Sequence, residues 1–541
     1  MFQNQNVKDF RRSADQEDSE PSSNSSGVPC KSFVSKLNLA LLSIPLTLRT
    51  SALPYPSKEI TPQIRHPSAS VSRGDGITFA HPMRRRGSGL DYIHNPSASF
   101  TSDELERRYF DLFREQHAPN FYGYLEAPFW TRLVLRECHH EPAIRHAIFA
   151  LAALFKSSRF NINAPIVADE HLNFALVQYS KAVRSLRQDL AGEGARVRLA
   201  LIASVLFACF ESFYGSWKTA AQQIYGGLNF LRQSRAASNV KTSKRRITAQ
   251  NLAAIEPEVS QALELLNSQL MSFLAVNPLY DYPFDDSEAQ GKQDLHILQK
   301  LPDQFTTPDD ALPSAASLAM SSLLHLRRCA KYTNGDPLRL STAQEQDTLS
   351  MAVDRWSKAF RPILIEASQN LTSLKHLAAL QLHILAVMAK IFISISIYTK
   401  EIIFDQFTRQ FQYIVYISRR LLEKEQDVRR LCGLKTQFSM GTIISLYYIA
   451  TRCRDYHVRR DAIAVLKEWP LRHLVWDSWQ AAKVAEWIVS IEEEGCDSNG
   501  FIPEEWRVRM NSLNVEMHSG GRVSVQCTQG SRNHVLKVDL L

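Results

Sequence analysis

The sequence predicts an all-α protein: a layered bundle of many helices, with a disordered arm at its N-terminus and a small β-hairpin at its C-terminus. Three observations predict this. Apolar residues recur at spacings of three and four through most of residues 101–494. Gly (20) and Pro (23) are scarce for 541 residues, unlike a loop-rich all-β chain. Period-two alternation is confined to the stretch from 513 onward.

Hydrophobic residues make up 45% and charged residues 22%, so the chain can bury a real core. Collagen-like, fully disordered and disulfide-scaffold classes are excluded. At roughly 150 residues per domain the length suits three or four units, or one large helical body. Sixty-three Lys and Arg against 55 Asp and Glu leave a net charge of +8. That mild excess is compatible with nucleic-acid association without demonstrating it.

Residues 1–100 hold 17 Ser and 9 Pro. Clusters such as Pro21–Ser26 and His66–Ser70 bury too little apolar area to offset chain entropy, so this segment is read as a disordered arm. An apolar run, Leu37 to Leu48, spans 12 residues and contains Pro45, too short to cross a bilayer. The polar start of the chain is unlike a secretory signal.

The helical body is expected over 101–512. Thr101-Ser-Asp-Glu104 has the pattern of a capping box, and Leu105, Tyr109, Leu112 and Phe113 follow at helical spacing. Pro119 lies just past the expected stop of this first helix. A second helix carries Phe129, Trp130, Leu133 and Val134. A third opens at Pro142, a favoured first-turn position, and puts Ile144, Ala147, Ile148, Leu151, Leu154 and Phe155 on one face. Helices follow over about 169–190, 195–214 and 216–234; the middle one is apolar on most sides and should be central.

Residues 235–252 read as a solvated loop and 278–315, rich in Pro and Asp, as another. Between them periodicity returns at 255–275. Helices dominate from about 316 to 494, and Gly495 fits a helix stop. Leu377 to Tyr398 is the most apolar stretch, but Lys390 within it favours a buried helix over a membrane span. Alternation at Val515 and Met517, at Val523, Val525 and Cys527, and at Val535 to Leu540 flanks Ser519-Gly520-Gly521. It reads as a hairpin or three-stranded sheet over 513–541, packed against the helices.

No constellation of catalytic or metal-binding residues emerges. The eight cysteines are dispersed, with no C-x-x-C, which suggests reduced thiols in an intracellular protein and no cofactor or metal site. His139-His140-Glu141 and His146 lack zincin spacing, and Pro142 restarts the helix between them, so a polar helix start with a capping carboxylate is expected. Ala191-Gly-Glu-Gly-Ala195 is a short turn with no Lys-Ser/Thr after it. Glu492-Glu493-Glu494 reads as a solvated acidic tip at a helix C-terminus. Trp476, Trp479 and Trp487 suit one buried helix face. Two short basic runs, Arg84-Arg85-Arg86 and Lys244-Arg245-Arg246, are candidate nuclear-import residues, and phosphorylation of Ser88 would reduce the charge of the first.

Several segments together resemble the regulatory region of fungal-specific transcription factors, the binuclear zinc-cluster family. They are Arg108–Phe113, Phe129–Leu135, His140–Leu151, Phe174–Tyr179 with Ala182, and Phe207–Glu211 followed by Gly226-Gly-Leu228. Trp476–Trp487 and Ile502–Glu505 are similar to that family's C-terminal part. The resemblance spans about 100–515. It implies an all-α regulatory body, a nuclear location, and control of metabolic or secondary-metabolite genes. The family's zinc cluster needs C-x-x-C pairs near the N-terminus, and here only Cys30 precedes residue 138. Its metal ligands and base-reading residues therefore map onto no position of this chain.

The expectation is a non-enzymatic transcriptional regulator without its own zinc cluster. It would act through the transcription machinery or a DNA-binding partner, as a homo- or heterodimer, with no membrane role. Its helical body would sense effectors and recruit proteins. The alternatives are a helical adaptor or ligand-binding module with no transcriptional role, and an incomplete gene model whose zinc cluster lies upstream.

Overall fold

The computed structural model describes residues 103–121, 128–157, 169–191, 197–238, 257–275, 298, 300–331, 338–369, 373–432, 442–469, 472–473, 476–516 and 522–539. Fourteen helices lie among them, with a three-stranded antiparallel sheet at the C-terminal end. The expected N-terminal arm falls outside the described residues.

Helix α1 runs Glu104–Leu112. Its cap is Asp103, whose carboxylate accepts from the Leu105 amide at 2.8 Å; Thr101 of the expected capping box lies outside the described residues. A π turn (Phe113–His117) and a 3-10 turn (Ala118–Asn120, holding Pro119) end it. A second π turn, Phe129–Leu133, runs into the short α2, Val134–Glu137. Helix α3 (Pro142–Lys156) starts on its proline as expected. Then come α4 (Glu170–Ala191), α5 (Val197–Tyr214) and α6 (Trp217–Ser238). Helix α6 continues past 234, because Arg235-Ala-Ala237 are good helix formers and loop composition starts only beyond them.

Helix α7 is Pro257–Ala275, and α8 is Pro308–Lys331. The start of α8 corrects the expected 278–315 connection. Thr307 and Asp310 form a reciprocal capping box: the Asp310 amide donates to Thr307 Oγ1 and the Thr307 amide to Asp310 Oδ2, both at 3.1 Å. Pro308 at the first position and Asp309 in the first turn suit a helix start. The Pro- and Asp-rich composition that suggested a loop is N-terminal helix chemistry.

Helices α9 (Leu338–Ser368) and α10 (Leu374–Ile395) follow, the latter capped by Ser373. A 3-10 turn, Glu401–Phe407, leads into α11, Thr408–Cys432. Helices α12 (Thr442–Arg452) and α13 (Tyr456–Glu468) precede a two-residue ribbon of β1 (Arg472–His473) and β2 (Trp476–Asp477). Helix α14 is Ser478–Glu493, and a 3-10 turn at Glu504–Trp506 precedes the sheet. Strands β3 (Val508–Glu516), β4 (Arg522–Gln529) and β5 (Arg532–Asp539) lie in sequential order. The sheet thus begins earlier than 513. Gly530, at φ +56°, sits in the tight turn between β4 and β5, where a side chain would be strained.

Packing passes from neighbour to neighbour along the chain. Helix α3 packs on α4 and α5, and α5 on α6. Helix α7 touches α5, α6 and α8; α8, α9 and α10 pack together; α12, α13 and α14 close the far end. One continuous core runs through all of them. Leu199 to Phe213 in α5 are buried without interruption, as expected of a central helix. Helices α5 and α10 are long and apolar enough to cross a membrane, yet most of each apolar window is buried within the fold. Lys390 of α10 reaches the surface and pairs with Asp354 of α9. Trp356 is fully buried, stacks on Phe360, and donates its indole N–H to Ser314 Oγ at 3.0 Å, tying α9 to α8.

Gly495 follows the end of α14, as its sequence position suggests, but not for reasons of φ. A β-carbon placed on it falls 2.0 Å from the Trp506 ring, so the glycine lets the lead-in to the sheet lie against the helix end. Gly495→Ala should therefore lower stability by about 1–3 kcal/mol through overpacking. In thermal unfolding, G495A combined with W506A should lose less than the sum of the two single changes.

Candidate functional site

Two clusters of polar residues in the described structure lie one in each half of the bundle. The first lies among α1, α3, α4 and α5, on the segments that carry the family resemblance. His146 Nδ1 lies 2.7 Å from Gln178 Oε1, and Gln178 Nε2 donates to Glu106 Oε1 at 2.9 Å. The Tyr109 hydroxyl meets His171 Nδ1 at 2.6 Å. The Tyr179 hydroxyl donates to Glu211 Oε1 at 2.7 Å, and the Tyr179 ring stacks on Phe210. These side chains satisfy one another within a helical core.

Glu211 is buried, and desolvation pushes its carboxyl up to about 7 against the pull of the Tyr179 and Ser216 hydrogen bonds. Glu137 behaves oppositely. The bidentate Arg198 guanidinium, at 2.8 and 2.9 Å, is the main cause holding its carboxyl at about 2, against a desolvation penalty and with help from Arg136.

The second concentration is an arginine–carboxylate cluster where α12, α13 and α14 meet the sheet. Glu492, in the last turn of α14, is fully buried. Its Oε1 accepts from Arg454 Nη2 and from the Val508 amide, both at 2.8 Å, and its Oε2 from Arg459 Nη2 at 2.6 Å. Glu493 takes a bidentate pair from Arg460 at 2.7 and 2.6 Å, which lowers its carboxyl pKa. Arg452 bridges Glu401 and the Val508 carbonyl. Arg507, also buried, grips Asp405 at 2.9 and 2.7 Å and reaches the carbonyls of Ile502 and Glu401. Glu504 accepts from the amides of Glu401 and Ile402, both at 2.8 Å, at the N-terminus of the 3-10 turn. Burial raises the Glu504 carboxyl pKa, but these bonds and Arg509 outweigh it and bring the net shift downward.

This cluster corrects one expectation. Glu492 and Glu493 are not a solvated tip; only Glu494 is exposed. Carboxylates at a helix C-terminus oppose the macrodipole, and here buried guanidinium groups overcome that cost. The neighbouring Arg452, Arg454, Arg459 and Arg460 were the available signal: four cations on and between two apolar helices call for buried anions elsewhere. A small cavity borders the cluster, lined by residues including Tyr447, Arg452, Ile488 and Met510, with room for about one water molecule.

His139, His146 and Glu141 do not converge on a metal; among the described residues no group of three or more His, Cys, Asp or Glu is arranged to hold one. Glu141 occupies the N-cap position of α3 but makes no capping bond, so the expected capping carboxylate is not formed. The expected tryptophan face is also absent. Trp476 belongs to β2 rather than to α14, while Trp479 packs under Lys483 and Trp487 is half-buried beside His534. Arg84, Arg85, Arg86, Ser88, Lys244, Arg245 and Arg246 lie outside the described residues.

Comparison with family profiles, with curated proteins and with solved structures finds no match to this chain.

Two predictions follow from these geometries. Arg459→Ala should strand the Glu492 carboxylate and cost about 3–5 kcal/mol in denaturant unfolding, whereas the exposed pair partner Glu104→Gln should change stability by less than about 1 kcal/mol. Glu211 sets a pH dependence. Its folded pKa of about 7 lies above its ordinary value of 4.5, so between those values the unfolded chain releases a proton that the folded chain keeps. Stability from this group is present at low pH and is lost as pH rises through about 7, by on the order of 3 kcal/mol. Glu211→Gln, which still accepts from Tyr179, should flatten that slope and raise the melting temperature at pH 8 relative to the parent chain.

Proposed function

We propose that this chain is a non-enzymatic transcriptional regulator of the fungal-specific type, lacking its own zinc cluster and controlling metabolic or secondary-metabolite genes from the nucleus. The observation that carries the reading is the set of segments similar to that family's regulatory region. Their polar members Gln178, Tyr179 and Glu211 are core-stitching residues of an all-α body. A likeness confined to exposed loops would support the reading less, because buried polar pairs constrain which helices can pack together.

In this proposal the body acts by contact. It would recruit the transcription machinery, or a partner that reads DNA, as a homo- or heterodimer, with the helical layers sensing an effector. Arg84, Arg85, Arg86, Lys244, Arg245 and Arg246 would direct nuclear import through their clustered charge. A second reading, a helical adaptor or ligand-binding module with no transcriptional role, is favoured by the lack of any C-x-x-C in the sequence.

The test is localisation combined with transcript profiling. A fluorescent fusion of the full chain in a fungal host should be nuclear, and alanine at all six basic positions should move it to the cytoplasm. Deleting the gene should change a coherent set of metabolic transcripts. A cytoplasmic parent fusion together with an unchanged transcript profile would favour the adaptor.

A further inference from the structure

A polar trio joins α8 to α9, apart from both clusters above and independent of the transcriptional reading. His325 of α8 is fully buried. Its Nε2 lies 3.6 Å from the sulfur of Cys329, one helical turn further along the same helix. Its Nδ1 lies 3.1 Å from Oε2 of Glu345 on α9, and Arg328 pairs with the other oxygen of that carboxylate. Thiol, imidazole and carboxylate therefore stand in line, with nucleophile, base and orienting group each within reach of the next.

The electrostatics agree with the geometry. Burial alone would lower the imidazole pKa, but the bonds to Cys329 and Glu345 outweigh it and raise it to about 9. Burial likewise raises the Glu345 carboxyl, and His325 and Arg328 reverse that effect and hold it below its ordinary value. A protonated imidazole beside a sulfur favours the thiolate.

The other described cysteines lack this setting. Cys138, Cys209, Cys453 and Cys527 are buried. Desolvation pushes their thiols up, to about 12 for Cys138, about 11 for Cys453 and about 12 for Cys527. Cys209 shifts in the same direction. Cys496 is exposed, and no imidazole contacts it among the described residues. Cys329 alone of these six pairs partial exposure with an adjacent imidazole.

We propose that Cys329 is an activated nucleophilic thiol and a modification site for small peroxides. In the step, the Cys329 sulfur attacks one peroxide oxygen. A sulfur–oxygen bond forms and the oxygen–oxygen bond breaks. The leaving hydroxide takes the Nε2 proton of His325 and departs as water. Sulfur loses two electrons and the peroxide gains them, so the products are a sulfenic acid, a neutral imidazole and water. His325 then no longer faces the Cys329 thiol, and the α8–α9 contact keeps only the Glu345 side of the arrangement.

The test uses the full reduced chain at pH 7. Hydrogen peroxide is added with dimedone, and peptides are mapped by mass spectrometry; iodoacetamide rates are read at each cysteine in parallel. Cys329 should carry most of the dimedone adduct and should alkylate at least about tenfold faster than Cys496. His325→Gln should bring the Cys329 rate to within about threefold of Cys496 while leaving Cys496 unchanged. Circular dichroism reports whether that variant folds. Glu345→Gln, which keeps the imidazole, should give an intermediate rate. Equal reactivity of Cys329 and Cys496 in the parent chain would overturn the proposal. So would an unchanged Cys329 rate in a folded His325→Gln variant, or, if that variant does not fold, in Glu345→Gln.

Discussion

The seating of the C-terminal sheet depends on one buried carboxylate. Glu492 holds Arg454, Arg459 and the backbone of Val508 at once. Helix α13, the loop before it, the end of α14 and strand β3 therefore share one anion. Removing any member leaves an uncompensated charge in an apolar interior, which costs more than the intact cluster contributes. Arg507 with Asp405, and Glu504 with the start of the 3-10 turn, repeat the arrangement on the other side of the lead-in. A three-stranded sheet of this size has too little apolar face to stand alone. Val508, Met510, Val525 and Cys527 bury against the helices, beside these ion pairs.

The N-terminal half ties its helices with side-chain hydrogen bonds as well as with the Glu137–Arg198 ion pair. Gln178 links His146 to Glu106, and Tyr179 donates to Glu211, joining helices that are otherwise apolar. Glu211, with its carboxyl pushed up to about 7, is about half protonated near neutrality, because burial disfavours its charge. Buried carboxylates are thus treated in two ways: guanidinium groups hold Glu492 and Glu137, while burial favours the proton on Glu211.

The functional reading stands at a different level from the fold. A helical body of this kind offers faces on which a partner can dock. The thiol–imidazole pair of α8 borders the α8–α9 contact, so the proposed oxidation of Cys329 would be coupled to that contact.

Periodicity and end signals alone determined the helical class, the central place of α5, the burial of α10 and the start of α3 at Pro142. These depend on residues three or four apart, whose neighbours are set by the helix itself. The start of α8 was legible in Thr307 to Asp310, although the same prolines and aspartates also spell a loop, and composition cannot separate the two. Tertiary structure alone decided the fate of Glu492 and Glu493, the separation of Trp476 from Trp479, and the approach of Glu345 to His325. In each case the deciding partner lies on another element, 33 residues away for Arg459 and Glu492 and 20 for His325 and Glu345. A charge at a helix end reads as solvated until packing brings an opposite charge to it, because the free energy of burying it depends on the partner and not on its own neighbours in sequence.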